Sequence, residues 1–201
     1  MADKPRRLPR QERSRFTVDT LLEAAAQTFT RDGLATTTNR IAERAGTSIG
    51  TLYQYFPNKY AMLHALAQRH VLEGGARLGA VLTELRRTQP PFDDTMRAIV
   101  DVVVELHRHR PALHALMHRV VPRDASDLAA MGAFEDYLTA EVAYHLRRCG
   151  RGGGDPQRTA AVLVHTVDAQ VHRVAPRHAM TGEQLMTVVR QLTPAPSSSG
   201  S

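Results

Sequence analysis

The chain has 201 residues, a formal net charge of +6 and a pI of about 10.1: long enough to bury the core of one large or two small domains, and basic enough to favour an anionic partner such as nucleic acid. A single cysteine, Cys149, excludes an intramolecular disulfide framework and reads as an inert thiol suited to a reducing compartment. No apolar run approaches the roughly 18 residues of a membrane span and no signal peptide is visible after Met1, so a soluble, cytoplasmic protein without a membrane partner is expected.

The first 15 residues, MADKPRRLPRQERSR, hold two prolines, six basic side chains and almost nothing apolar. They are expected to form a flexible basic arm, suited either to the minor groove of a duplex or simply to solvent. A helix is predicted from about Thr17 to Arg31, where Leu22, Ala25, Ala26 and Phe29 recur at 3/4 spacing and Gly33 ends it. Thr37 is placed to cap a short helix from Thr38 to Ala45, with Ile41 and Ala45 on one face and Arg40 and Arg44 on the other. Gly46 supplies the left-handed conformation that ends it. Ser48 can cap a second short helix through Tyr55 or Phe56, with Leu52 and Phe56 as its buried stripe, and Pro57 stops it. Two short helices about one glycine, the second nearly uncharged and turning small and hydroxylated residues outward, have the form of a helix-turn-helix, whose second element sits in the major groove of DNA. The charge agrees: residues 1–60 hold ten Lys/Arg against six Asp/Glu, residues 61–201 sixteen against fourteen.

From Asn58 a long helix is predicted to about Thr88, with Gly74, Gly75 and Gly79 as points where it could kink and Pro90-Pro91 as a boundary. Beyond it the apolar period stays near 3.6 and no alternating strand pattern occurs. Helices are predicted from about Phe92 to Arg110, from Pro111 to about Val121, and from a cap at Asp124 or Ser126 to Arg148. Two more run from the Asp155-Pro156 start to about Val174, and from a capping box of Thr181 and Gln184 to about Leu192. The loop at 150–154, GRGGG, reads as polar and mobile, and PAPSSSGS as disordered. The fold class is therefore all-α with about nine helices: an arm at 1–15, a helix-turn-helix domain at 16–60, a larger helical domain at 61–193 and a tail at 194–201.

The segment 36–59 resembles the DNA-binding domain of the TetR family of bacterial transcriptional regulators through Thr36, Thr37, Ile41, Ala42, Ala45, Gly46, Ser48, Gly50, Thr51, Leu52, Tyr53, Phe56 and Lys59. The stretch LLEAAAQTFTRDG (21–33) is similar to that family's first helix. Thr47 stands where valine is usual, and Ile49 where a polar or basic residue is frequent. A short helix in a groove brings its N-terminal side chains nearest the base edges. Ile49, Gly50 and Gln54 are then the candidates for base proximity, with Asn39 as a further reader. Gln54 can pair bidentately with adenine, Ile49 can touch a thymine methyl, and Gly50 lets the backbone approach. Thr37, Ser48, Thr51, Tyr53, Tyr55 and Lys59 are better placed for phosphate, and for Tyr53 and Lys59 the resemblance implies that role. The bland alternatives stay open: Tyr53 packing on the preceding helix, Thr37 needed only as a cap, Arg40 and Arg44 forming a solvated face.

The resemblance further implies a double-stranded DNA operator, a homodimer, no cofactor and a small-molecule effector that releases a repressor; activation instead of repression, or less specific DNA binding, is the alternative. Two reading helices about 34 Å apart would cover two half-sites. The dimer interface is expected from two stripes, Ala160, Leu163, Val164, Val167 and Val171 on one helix and Leu185, Val188, Val189 and Leu192 on the next, forming a four-helix bundle unless both pack inside the protomer. An apolar ligand chamber is expected from Val103, Leu106, Leu116, Met117, Phe134, Tyr137 and Leu138, with Asp101, Glu105 and Asp168 able to select a cation or to face water. Among ten histidines, His114 and His118 lie four apart, and His165 and His172 seven apart with Asp168 between them. These are spacings that can serve a metal, but with no cysteine cluster or HExxH motif they read as exposed histidines and no metal is expected. No nucleophile–base pair, phosphate loop or carboxylate pair supports an enzyme.

Overall fold

The computed structural model describes residues 10–120, 125–175 and 181–195, and among them there is helix and no strand. The helices are α1 (Arg10–Asp32), α2 (Thr38–Arg44), α3 (Ile49–Tyr55), α4 (Lys59–Thr88), α5 (Phe92–Arg108), α6 (Pro111–Val120), α7 (Ala125–Arg148), α8 (Pro156–Ala169) and α9 (Gly182–Leu192). A 3-10 turn, Gly33–Ala35, follows α1, and a π-helical turn, Gln170–Val174, extends α8. The all-helical expectation thus holds, and the caps are where local chemistry put them. Thr37, Ser48, Asp155 and Thr181 each accept from a first-turn N–H, the last within a full capping box with Gln184. Asn58 does the same for α4, its Oδ1 accepting from the Tyr60 and Ala61 N–H groups at 2.9 Å.

Three expectations are corrected. The arm does not extend to residue 15: α1 is already helical from Arg10, because arginine, glutamine and glutamate are good helix formers and nothing after Pro9 breaks the run. Residues 1–9 lie outside the described residues, as do Asp124, offered as a cap, and 196–201 of the tail. The glycines of α4 do not interrupt it. Gly74 faces Leu106 of α5 and Gly75 faces Phe134 of α7, where a Cβ would make ordinary contacts at 3.4 and 3.7 Å. The loop between α7 and α8 has a specific left-handed shape, with positive φ at Gly150, Gly152 and Gly153; a Cβ on Gly152 would sit 3.0 Å from Pro156 Cα.

The chain forms two compact units. The first gathers α1, α2, α3 and α4 as far as Arg69, and groups with them α6 from Leu116 onward; the second begins at His70 and holds the rest of α4 and α6 and the other helices. In the first unit the predicted stripe of α1 is buried (Leu22, Ala25, Ala26, Phe29, together with Leu21), as are Ile41, Ala42, Leu52 and Phe56 of the helix-turn-helix and Met62, Leu63 and Leu66 of α4. Each large side chain so buried contributes about 1.5–3 kcal/mol relative to exposure.

The core of the second unit joins Phe92, Met96 and Val100 of α5, Val142, Ala143 and Leu146 of α7, Ala160 and Leu163 of α8, and Leu185, Met186 and Val189 of α9. Ion pairs Arg97–Glu183 and Arg190–Asp93 fasten α9 along α5. Arg148, at the end of α7, donates to the Gln89 and Pro90 carbonyls where α4 stops.

Candidate nucleic-acid interface

The reading helix is built from a helix too short to be stable alone, so its orientation comes from its caps and its buried side. Ser48 Oγ accepts from the Thr51 N–H at 3.0 Å and shares a hydrogen bond with the Thr51 hydroxyl at 2.9 Å. Leu52 is wholly buried and Phe56 nearly so, which turns Ile49, Gly50, Tyr53 and Gln54 to solvent. Gln54 and Asn39 are exposed and make no hydrogen bond among the described residues, so their amides are available to a base edge. Ile49 is 36% exposed, an apolar side chain held in water beside them.

The phosphate candidates divide. Thr37 Oγ1 accepts from the Arg40 N–H at 3.3 Å and still has its proton to donate outward. Tyr53 is 52% exposed and its hydroxyl meets that of Thr38 at 3.1 Å, tying α3 to the start of α2; it is neither buried nor loose. Tyr55 and Thr51 are half-buried. Lys59 is anchored: its ammonium donates to the Leu34 carbonyl at 2.6 Å and the Thr36 carbonyl at 3.1 Å, at the corner that leads into α2.

Arg40 and Arg44 are not a free solvated face. Arg40 pairs with Asp32 at 3.3 Å, and Arg44 donates to Gln27 at 2.7 Å, so both guanidinium groups fix the helix-turn-helix to α1. Asp32 is also held by Arg31, whose hydrogen bonds keep its carboxyl below the usual carboxylate range. The two arginines contribute positive potential around α2 while their positions are set by the protein.

In the second unit the predicted interface stripes turn inward. Leu163, Val171, Leu185 and Val189 are at most 6% exposed, and Val164, Val167 and Leu192 pack against the same core, while Val188 is half-buried. Periodicity gave the correct apolar face, but that face is satisfied inside the protomer. The outer side of α8 is different. Arg158, Ala161, Val162, His165, Thr166 and Gln170 line an open groove there, with Val162 47% exposed.

Of the expected ligand chamber, Val103, Leu106, Phe134 and Leu138 are half-buried, and Leu106 and Phe134 flank the paired glycines of α4. Tyr137 is 42% exposed, and Leu116 and Met117 are buried and belong to the first unit. Glu105 pairs with Arg108 and His109, and the Asp101 carboxylate lies beside Gly182. Asp168 holds His172 at 2.8 Å.

The histidines are the feature that spacing missed. His70, His107 and His114, from α4, α5 and α6, bring a ring nitrogen each within 4.8 Å of one another, half-buried, and His172 joins His107. Spacing singled out His114 and His172 with other partners, and it does not mark this group, because His70 lies 37 residues before His107 and His172 65 after it. His165 stays on the exposed side of α8.

A family model described as bacterial regulatory proteins, tetR family, matches residues 21–66, and one described as tetracyclin repressor-like, C-terminal domain, matches residues 91–194. The chain is 30% identical over 144 residues, 69% of each chain, to a nucleoid occlusion factor SlmA of Actinobacillus pleuropneumoniae serotype 5b (strain L20). In fold it is similar to a TetR-like transcriptional regulator from Rhodococcus sp. RHA1, with a TM-score of 0.63, 21% identity, and coverage of 92% of this chain and 96% of that one. A regulator of the TetR/AcrR family from Thermobifida fusca YX-ER1 gives a TM-score of 0.65 at 17% identity, covering 87% and 94%.

Proposed function

Because the chain belongs to the tetR family of bacterial regulatory proteins, and is therefore a DNA-binding transcriptional regulator and not an enzyme, we propose that it is a homodimeric repressor, released from a pseudo-palindromic operator by a small molecule. The single observation that carries the DNA side of this reading is the division of α3: Leu52 and Phe56 inside, Ile49, Gly50, Tyr53 and Gln54 outside. Gln54 and Asn39 then read base edges, Ile49 meets a thymine methyl, and Thr37, Ser48, Thr51, Tyr53, Tyr55 and Lys59 steady the helix on phosphate.

Family members dimerise, and the open groove on the outer side of α8 supports that face, rather than the buried stripes, as the place where a second protomer docks. An effector of mainly apolar character would lodge among Val103, Leu106, Phe134 and Leu138. α4 runs continuously from the first unit into the second, so an effector that prefers one setting of the second unit can bias the reading helix through it. A 100-fold preference between settings corresponds to about 2.7 kcal/mol.

The test is selection of bound duplexes from a random pool, at fixed salt. A two-fold symmetric consensus with half-site centres one helical turn apart supports the reading; binding without sequence preference refutes it. A second reading has a specific source, the likeness to proteins named nucleoid occlusion factors: nucleoid-associated DNA binding rather than repression at a few promoters. Mapping bound sites in cells separates the two, since a repressor occupies a few promoters.

A further inference from the structure

We propose that His70, His107, His114 and His172 form a binding site for a divalent transition-metal ion of the zinc class. All four belong to the second compact unit, so the site stands independently of the repressor reading. It joins four elements remote in sequence: α4, α5, α6 and the π-helical turn after α8.

The geometry of the nitrogens carries the argument. The Nε2 atom of His107 lies 3.3 Å from that of His70 and 3.1 Å from that of His172. An ion bound tetrahedrally at about 2.0–2.1 Å from each imidazole nitrogen sets those nitrogens roughly 3.3–3.4 Å apart. The rings are spaced accordingly, with centroids 4.2 Å apart for His70 and His114, 4.8 Å for His107 and His172, and 4.9 Å for His70 and His107.

Tautomers strengthen the case. His107 Nδ1 sits 2.8 Å from the Val103 carbonyl, which can only accept, so that nitrogen carries the proton and Nε2 presents a lone pair. His172 Nδ1 faces the Asp168 carbonyl at 3.1 Å and its carboxylate at 2.8 Å, so the same holds there. Two lone pairs facing each other at 3.1 Å repel; a cation shared between them turns that repulsion into ligation. His114 adds a buried Nδ1 with no hydrogen-bond partner, the kind of buried polar atom that an unassigned ligand explains.

The surroundings resemble those of metal sites elsewhere. The carbonyl on His107 and the carboxylate on His172 are the outer hydrogen-bond partners that orient ligating imidazoles. The π-helical turn, closed by the Ala175 N–H on the Gln170 carbonyl at 2.8 Å, departs from the α-helix at the one place where His172 meets His107. Such turns are concentrated at functional sites. An all-imidazole set suits zinc, nickel or copper over magnesium or calcium, which prefer oxygen.

The experiment uses the full chain, carrying no polyhistidine tag and stripped with chelator, titrated with Zn2+ against a chromogenic competitor; Co2+ serves as a spectroscopic probe of tetrahedral nitrogen ligation. One ion per chain is expected, with affinity lowered at least about 100-fold in His107→Ala and about 10- to 100-fold in Asp168→Asn, which removes only an outer partner. His165→Ala, on the exposed side of α8, should bind as the parent does. If His107→Ala fails to fold, as judged by its helical circular dichroism, His70→Ala and Asp168→Asn still decide the matter. No binding by the parent overturns the proposal, and so does binding that His70→Ala and Asp168→Asn leave unchanged.

Discussion

Lys59 occupies the first position of α4, where a cation faces the positive end of the helix dipole, at a cost of about 0.3–1 kcal/mol. Its two bonds to the Leu34 and Thr36 carbonyls more than offset this. Hydrogen bonds from a charged donor are worth about 1.5–3 kcal/mol each, and partial exposure puts both at or below the low end. Lys59→Met, which keeps the stem and removes the charge, should therefore destabilise the protein by a net of about 2 kcal/mol. At roughly 2–4 °C per kcal/mol for a chain of this size, the melting temperature should fall by about 4–8 °C. Calorimetry or circular dichroism checks that half. The third ammonium proton remains for a phosphate, so on the proposed function a dimer of the variant would lose two phosphate contacts. The slope of log affinity against log salt should then become shallower by about 1.8, read by fluorescence anisotropy on a selected duplex at several salt concentrations. An unchanged melting temperature would refute the clamp. A lowered one with an unchanged salt slope would show that the ammonium serves the fold alone.

Gln54→Ala should leave the stability within about 0.5 kcal/mol of the parent and cost about 1–3 kcal/mol of discrimination at one base position per half-site, visible as a flattened column in the selected consensus. Ser48→Ala removes the cap of α3 and should cost about 1 kcal/mol in a denaturant titration, with DNA affinity falling uniformly across sequences. Gly152→Ala combines a φ of +90° with a Cβ 3.0 Å from Pro156 Cα; a loss of at least about 2 kcal/mol is expected, and a loss under half that would contradict the loop geometry. His145 is fully buried, and desolvation, followed by Arg148, holds its pKa below the ordinary value of 6.5. The unfolded state therefore takes up the proton first, so His145's contribution is full above pH 6.5 and is lost as pH falls below it; His145→Gln should flatten the acid limb of the stability curve.

What the amino-acid order revealed followed the range of the interactions involved. Caps and terminators act within four residues, so Thr37, Gly46, Ser48, Asp155 and the Thr181–Gln184 box were legible one by one. The division of α3 into a buried and an open side was equally local, since Leu52 and Phe56 lie one turn apart. The start of α1 is less legible, because the charge and nearby prolines of 10–15 suggest an arm while the helix propensity of the same residues prevails. Gly74 and Gly75 read as interruptions from local propensity, yet α4 passes through them, because the side chains packed there, Leu106 and Phe134, come from other helices.

The two larger corrections share a cause. Apolar periodicity states that one face of a helix avoids water; it does not state whether the cover is the same chain or a second copy. For Leu163, Val171, Leu185 and Val189 the cover is the protomer's own core, and the side of α8 left over carries Arg158, His165, Thr166 and Gln170 beside Ala161 and Val162. The histidines carry the same point further. His70, His107 and His172 are separated by 37 and 65 residues, and each alone is an unremarkable helical histidine. Only the packing of α4, α5 and the π-helical turn brings the Nε2 atoms of His70 and His172 each beside that of His107. A site assembled from single residues on several helices leaves no spacing for a motif to report, so its chemistry becomes visible only when the fold is known.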